Sequence, residues 1–329
     1  MMNMKPSLAK MLILCCLKAQ ISVMLLGSPG IGKSDIVRAI AKLLGIQLLD
    51  IRAVLFDPVD FRGIPSIVDG RTVWNPPDFL PTSGKGLLFL DEINAAPKLV
   101  QAACYQLVLE RRLGDYALPE GWHVIGAGNH ASDMAAAMKM STALKRRFEI
   151  INLIPDFEDW KTWAFANNIA AEIIGYLNLR PQNLHLFDPR SDDSFPCPAT
   201  WEAVSKLMAT NPAQEIRTHA WAGQLGEAVA VEFEGFCQIA NALPDPGEVF
   251  RNPQNAPIPS DMSVMYAYCA ALSYRATREN FPAIAEYSER LRESHKAVLV
   301  LDCIKAKPEV TETRAYCDWA TRNQHLLSA

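Results

Sequence analysis

The octapeptide Gly27, Ser28, Pro29, Gly30, Ile31, Gly32, Lys33, Ser34 constrains this chain more than any other stretch. It fits G-x-x-x-x-G-K-[ST]. Glycines at that spacing let the backbone wrap until its N–H groups point at phosphate oxygens. The positive end of a following helix adds to the attraction. In such a loop Lys33 reaches the β- and γ-phosphates and Ser34 ligates Mg²⁺. The context agrees. "ISVML" before the loop is strand-like, and "SDIVRAIAKLLG" after it places Ile36, Ile40, Leu43 and Leu44 at helical spacing. Gly45 then supplies a helix stop. Strand, loop and helix in this order predict an α/β fold built on a parallel sheet that binds a nucleotide.

A second segment, "GLLFLDEIN" from Gly86 to Asn94, is a short apolar run ending in two acids. Such a run suits a strand covered on both faces of a parallel sheet. Asp91 then emerges at the carboxyl edge, where α/β folds bind ligands. There it can hold Mg²⁺ through water, while Glu92 orients the attacking water. A third strand, "WHVIGAGN", brings Asn129 to the same edge. Finally "TALKRRFEI" sets Lys145, Arg146 and Arg147 side by side before another apolar run, in a chain of net charge −4.

In their order and spacing these four segments resemble an AAA+ ATPase. The wording between them is closer to the MoxR-like, dynein-related branch. It is carried by "DPVDFRGIP" (Asp57 to Pro65), "WNPPDFLP" (Trp74 to Pro81), "QLVLERRLGDYALPEGW" (Gln106 to Trp122) and "DWKTWA" (Asp159 to Ala164). The likeness runs from about Leu8 to Met208. It implies that Lys33 and Ser34 are the Walker A pair, Asp91 and Glu92 the Walker B pair, and Asn129 sensor 1. It also implies that Arg147 is the arginine finger, which reaches the γ-phosphate of a neighbouring subunit in a ring, usually a hexamer. Arg146 is the weaker candidate. In relatives an arginine, sensor 2, precedes a Trp-Glu pair; here that position is Ala199. Either Arg190 substitutes or coupling to the γ-phosphate is weak; weak coupling is the expectation.

Asp69-Gly70 between alternating apolar runs signals a tight hairpin, and Gly114-Asp115 a second, shorter one. In the resembled branch these project into the ring's pore or face. The α/β core is expected over residues 1–154 and an α-helical lid over 155–240. The five prolines of 241–260 suggest a linker or extended arm, and 261–329 read as further helices.

The eight cysteines show no C-x-x-C and no metal-like pairing with histidine, which suggests free, mostly buried thiols in a reducing cytoplasm. No apolar run reaches the ~18 residues of a membrane helix. A pI near 5.9 speaks mildly against nucleic acid. The expected activity is therefore ATP hydrolysis with Mg²⁺ by a cytoplasmic ring motor or chaperone that remodels a protein. The resemblance implies a von Willebrand factor A (VWA) domain protein or a client enzyme as partner. The rivals are a GTP-using, DNA-associated motor and a nucleotide-gated scaffold with little hydrolysis.

Overall fold

A computed structural model of the chain describes residues 2–130, 146–240 and 243–327; Lys145 lies outside them. The chain divides into two compact units. One comprises Met1–Asp156 and Phe187–Ser191, the other Phe157–Leu186 and Asp192–Ala329.

The first unit is built on a six-stranded sheet of order β1-β10-β2-β9-β6-β3, with every pair parallel. Its strands are β1 (Asn3–Met4), β2 (Val23–Leu26), β3 (Gln47–Arg52), β6 (Gly86–Asp91), β9 (Trp122–Gly128) and β10 (Glu149–Leu153). Alternate side chains of each strand enter opposite cores. Val23, Leu25, Leu87, Phe89, Ile125 and Ala127 pack with helices α1 (Pro6–Lys18) and α2 (Lys33–Leu44). Met24, Leu88, Leu90 and Val124 pack with α4 (Lys98–Glu110) on the other face. The result is a three-layer α/β/α sandwich, as the apolar runs predict.

The helix after the phosphate loop buries Ile36, Val37, Ile40 and Ala41, and Gly45 ends it in the left-handed region at φ 63°. Both hairpins form. In β4 (Ile64–Val68) and β5 (Arg71–Asn75) the turn residues Asp69 and Gly70 have φ of 48° and 70°, as a type I′ turn requires. The second joins β7 (Arg112–Leu113) to β8 (Tyr116–Ala117). The base of the first hairpin closes on Gly63, where a Cβ would fall 1.8 Å from the Asn75 carbonyl oxygen. A short helix, α3 (Pro58–Arg62), leads into it, and the flanking rings of Phe56, Phe61 and Phe79 pack edge to face.

The second unit is helical. Trp201, Trp221, Tyr176 and Phe233 form the heart of one core, which Trp160 joins buried and Trp163 partly buried, so these tryptophans are packing residues. Helices Ala171–Leu179 and Met262–Tyr274 approach closely because Gly175 has no side chain; a Cβ there would lie 3.1 Å from the Cα of Ala267.

Within the expected linker of 241–260, the described residues 243–260 are packed rather than extended. Pro246–Arg251 is a helix, started by the Asp245 carboxylate accepting from the Gly247 N–H and by proline in the first turn. Val249 and Ala256 are buried with Tyr268 and Tyr287. Arg290 donates to the Pro253 and Ala256 carbonyls, and Tyr287 to that of Pro257. Proline is well suited to the first turn of a helix, so a proline count overstated extension here. No helix of the described residues is long and apolar enough to cross a membrane. Among the cysteines only Cys15 and Cys317 are exposed, and all eight are free.

A charged cluster sits deep in the helical unit. Lys161 Nζ lies 2.7 Å from Asp302 Oδ1 and 3.0 Å from Asn178 Oδ1, and Asn178 donates to Asp302 Oδ2. Burial pushes the Asp302 carboxyl up from its usual range, and Lys161 works against that. Removing one partner strands the other charge, which typically costs about 3–5 kcal/mol. Lys161→Met is therefore expected to destabilise this unit by about that amount in urea unfolding followed by tryptophan fluorescence. The double variant Lys161→Met/Asp302→Leu should recover most of the loss.

Candidate nucleotide site

The parallel register assembles the site. Leu26 pairs with Gly128 and Leu90 with Gly126, so β2, β9 and β6 end at one edge. The Gly27 N–H donates to the Gly128 carbonyl across the first two of these ends. Gly27 tolerates no side chain, because a Cβ would meet the Leu153 carbonyl oxygen at 2.8 Å and Ile31 Cδ1 at 2.3 Å. Gly30 and Gly32 have φ of 73° and 90°, a region that glycine enters without steric cost. Ile31 is buried and pins the loop to the core. Ser28 and Pro29 complete the turn, and Lys33 opens α2.

Lys33, Ser34, Asp91 and Asn129 are brought together as the sequence predicts. Lys33 Nζ donates to the Gly27 and Ser28 carbonyls at 2.8 and 3.1 Å and to Asn129 Oδ1 at 2.8 Å. Ser34 Oγ donates to Asp91 Oδ2 at 2.9 Å, and Asp91 Oδ1 accepts from the Glu92 N–H. Glu92 turns out of β6 at φ 55° and is half-buried. A hydroxyl and a carboxylate oxygen in contact are oxygen donors of the kind that suits Mg²⁺. A lysine ammonium and a glycine-lined helix N-terminus suit the phosphates.

Arg147 stands elsewhere. It lies two residues before Glu149, which pairs with Val23 at the start of β2. Gly27, where the phosphate loop begins, is level with a point six residues further along. From Glu149, where β10 begins, to the level of Gly27 the strand rises about 13 Å at ~3.3 Å per residue, and Arg147 lies in the turn before it. Arg146 and Arg147 are both exposed at this amino edge, while Phe148 is buried. Ala199 is the second residue of the helix Pro198–Ala209 and exposed. Arg190 places its guanidinium on both carboxylate oxygens of Asp188, at 3.1 Å each.

Two residues escape the sequence reading. Asp50 on β3 faces the same side of the sheet as Asp91 and receives Arg38 at 3.8 Å. Burial and the Asp91 charge push its carboxyl up. Only the alternation of "QLLDIR" hints at that strand. Asn94, just past Glu92, is buried and donates to the Asn129 carbonyl at 2.6 Å.

This is the site of a P-loop nucleotide-binding fold. Residues 22–148 match the family described as AAA domain, dynein-related subfamily. The match takes in the phosphate loop, Asp91, Glu92, Asn129 and Arg147. No curated protein matches the chain. Among solved structures, the Thermotoga maritima RuvB Holliday junction branch migration motor is similar at 18% identity and a TM-score of 0.36, over 81% of this chain and 80% of that one. NtrX from Brucella abortus, solved in complex with ADP, is similar at 16% identity and a TM-score of 0.37, over 97% of this chain and 67% of that one.

Lys33 contributes charge to the site and little to packing. Lys33→Ala is expected to abolish ATP binding in isothermal titration with Mg²⁺ present, with the circular dichroism spectrum unchanged. Undiminished affinity would remove Lys33 from the site.

Proposed function

We propose that the chain is an ATP-hydrolysing, ring-forming motor or chaperone of MoxR type that remodels or activates a protein partner. The observation that carries the reading is the separation of Arg147 from the site of its own chain. Lys33, Ser34, Asp91, Glu92 and Asn129 gather at the carboxyl edge of the sheet, and Arg147 stands in the turn before β10, at the opposite, amino edge. An arginine so placed serves a second copy whose carboxyl edge faces it. Repetition of that contact makes a ring when the rotation closes.

In this reading Lys33 holds the β- and γ-phosphate oxygens of ATP. Mg²⁺, when bound through Ser34 and Asp91, neutralises charge on the same oxygens. The Glu92 carboxylate orients a water in line with the γ-phosphorus and takes its proton. The new O–P bond forms as the bond from the γ-phosphorus to the β–γ bridging oxygen breaks. Asn129 hydrogen-bonds the water or the γ-phosphate, and Arg147 of the neighbouring copy meets the charge that spreads over the transferring group. The partner, a VWA-domain protein or a client enzyme, is inferred from the MoxR-like wording of Asp57 to Pro65 and Trp74 to Pro81.

Glu92→Gln should bind ATP normally, turn it over at least 100-fold more slowly and accumulate as assembled rings in sedimentation, since the carboxylate positions water but does not hold phosphate. The same variant, used as bait in the native cell, should retain a protein partner; recovery of DNA instead would replace the partner assignment. Normal turnover with no larger species would exclude Glu92 as the base.

The shared site has its own test. Mixing Arg147→Ala subunits with Lys33→Ala subunits joins some intact pockets to intact arginines. Because such arginines contribute roughly 10³–10⁵ in rate, the mixture should exceed the summed activities of the two variants severalfold. Mixed rings with no such gain would count against action between copies.

A further inference from the structure

Asn94 takes no part in the scheme above, yet its environment is unusual for an amide. It is 4% exposed, on the short 3₁₀ turn Ile93–Ala95 that follows Glu92. Nδ2 donates to the Asn129 carbonyl oxygen at 2.6 Å. The contact itself fixes which end of the amide is which, because only the nitrogen can face a carbonyl oxygen. Oδ1 is buried with no hydrogen-bond partner. It lies over Gly128, where a Cβ would come within 2.3 Å of it. A buried amide with an unmet acceptor is a net cost to the fold, and an apolar side chain on this turn would avoid it.

What the amide does accomplish is a link. Asn129 Oδ1 accepts from Lys33 Nζ at 2.8 Å. Asn94 is two residues from Glu92, whose left-handed backbone at φ 55° sets the direction of the turn. One line of contacts thus runs from the Glu92 turn through Asn94 to Asn129 and on to Lys33. Gly128 permits it by leaving room for the Asn94 amide beside the strand end. We infer that Asn94 is a positioning residue, which holds the Asn129 backbone against the Glu92 turn so that the two side chains keep a fixed relation. The inference rests on the hydrolytic reading of Glu92 and Asn129.

The test compares Asn94→Ala, Asn129→Ala and the double variant in the full chain, with ATP affinity, kcat and melting temperature measured for each. Asn94→Ala is expected to lower kcat about tenfold or more while ATP affinity stays within about twofold. The double variant should be no more than about twofold slower than Asn129→Ala alone, because Asn94 acts through Asn129. If the two losses multiply, or if ATP affinity falls in step with the melting temperature, Asn94 is merely structural and the inference is overturned. Should Asn94→Ala fail to fold, Asn94→Asp keeps the shape, replaces the donor with an acceptor and carries the same expectations. Glu92→Gln serves as control. If it leaves turnover intact, the hydrolytic reading fails; if it slows turnover and Asn94→Ala does not, only the present inference fails.

Discussion

The parallel pairing of β2 with β9, and of β9 with β6, is the constraint on which the rest of this site depends. Parallel strands end at the same edge. The register sets Gly27 beside the end of β9 and brings the Asp91-Glu92 turn to the same level. A slip of one residue would turn every side chain of a strand to the other face. Asp91 would then leave Ser34, and Leu90 would leave its core. The apolar alternation that builds two cores, one on each face, is therefore also what aims the polar residues. Packing energy, not the few hydrogen bonds at the edge, holds the geometry.

Much of this was legible in the sequence because its causes are local. A phosphate loop needs glycine where φ is positive, as at Gly30 and Gly32, and where a backbone carbonyl crowds Cα, as at Gly27. A type I′ turn needs a pair such as Asp69-Gly70, and a helix ending in the left-handed region needs Gly45 or its like. Each requirement is written in the residue that meets it. What was not legible depends on partners distant in sequence. The two-residue strand β1 exists only because β10 offers it an edge. Asp50 matters only because Asp91 and Arg38 come to it. Asn94 reads as a small polar residue after two acids until β9 is set beside it. The helix Pro246–Arg251 was obscured for another reason: proline breaks a helix interior but begins a helix well, and composition does not tell position.

The helical unit solves the same problem by another means. Without a sheet to fix register, its helices meet through large aromatic side chains and buried polar contacts, among them Trp221 Nε1 donating to Glu234, Trp319 Nε1 donating to Ser288, and the Lys161 cluster. Lys161 and Asn178 come from consecutive helices and Asp302 from one far along the chain, and the three side chains contact one another. Apolar side chains of equal volume would pack about as well and would avoid the desolvation of two charges. They would also accept more than one alignment of the helices. A directional pair accepts few, which gives specificity a role that burial alone does not fill.

The polarity of the sheet bears on assembly in the same way. In a parallel sheet the two edges are chemically different, and here the difference is large. One edge carries the phosphate loop, Asp91 and Glu92; the other carries Arg146 and Arg147. A two-fold contact can join unlike edges only reciprocally, and it closes at two copies. Head-to-tail contact joins unlike edges and repeats without limit until it closes. On the proposed reading, then, the ring and the shared active site are not separate features. A head-to-tail contact between the arginine at the strand starts and the nucleotide loop at the strand ends would supply both at once.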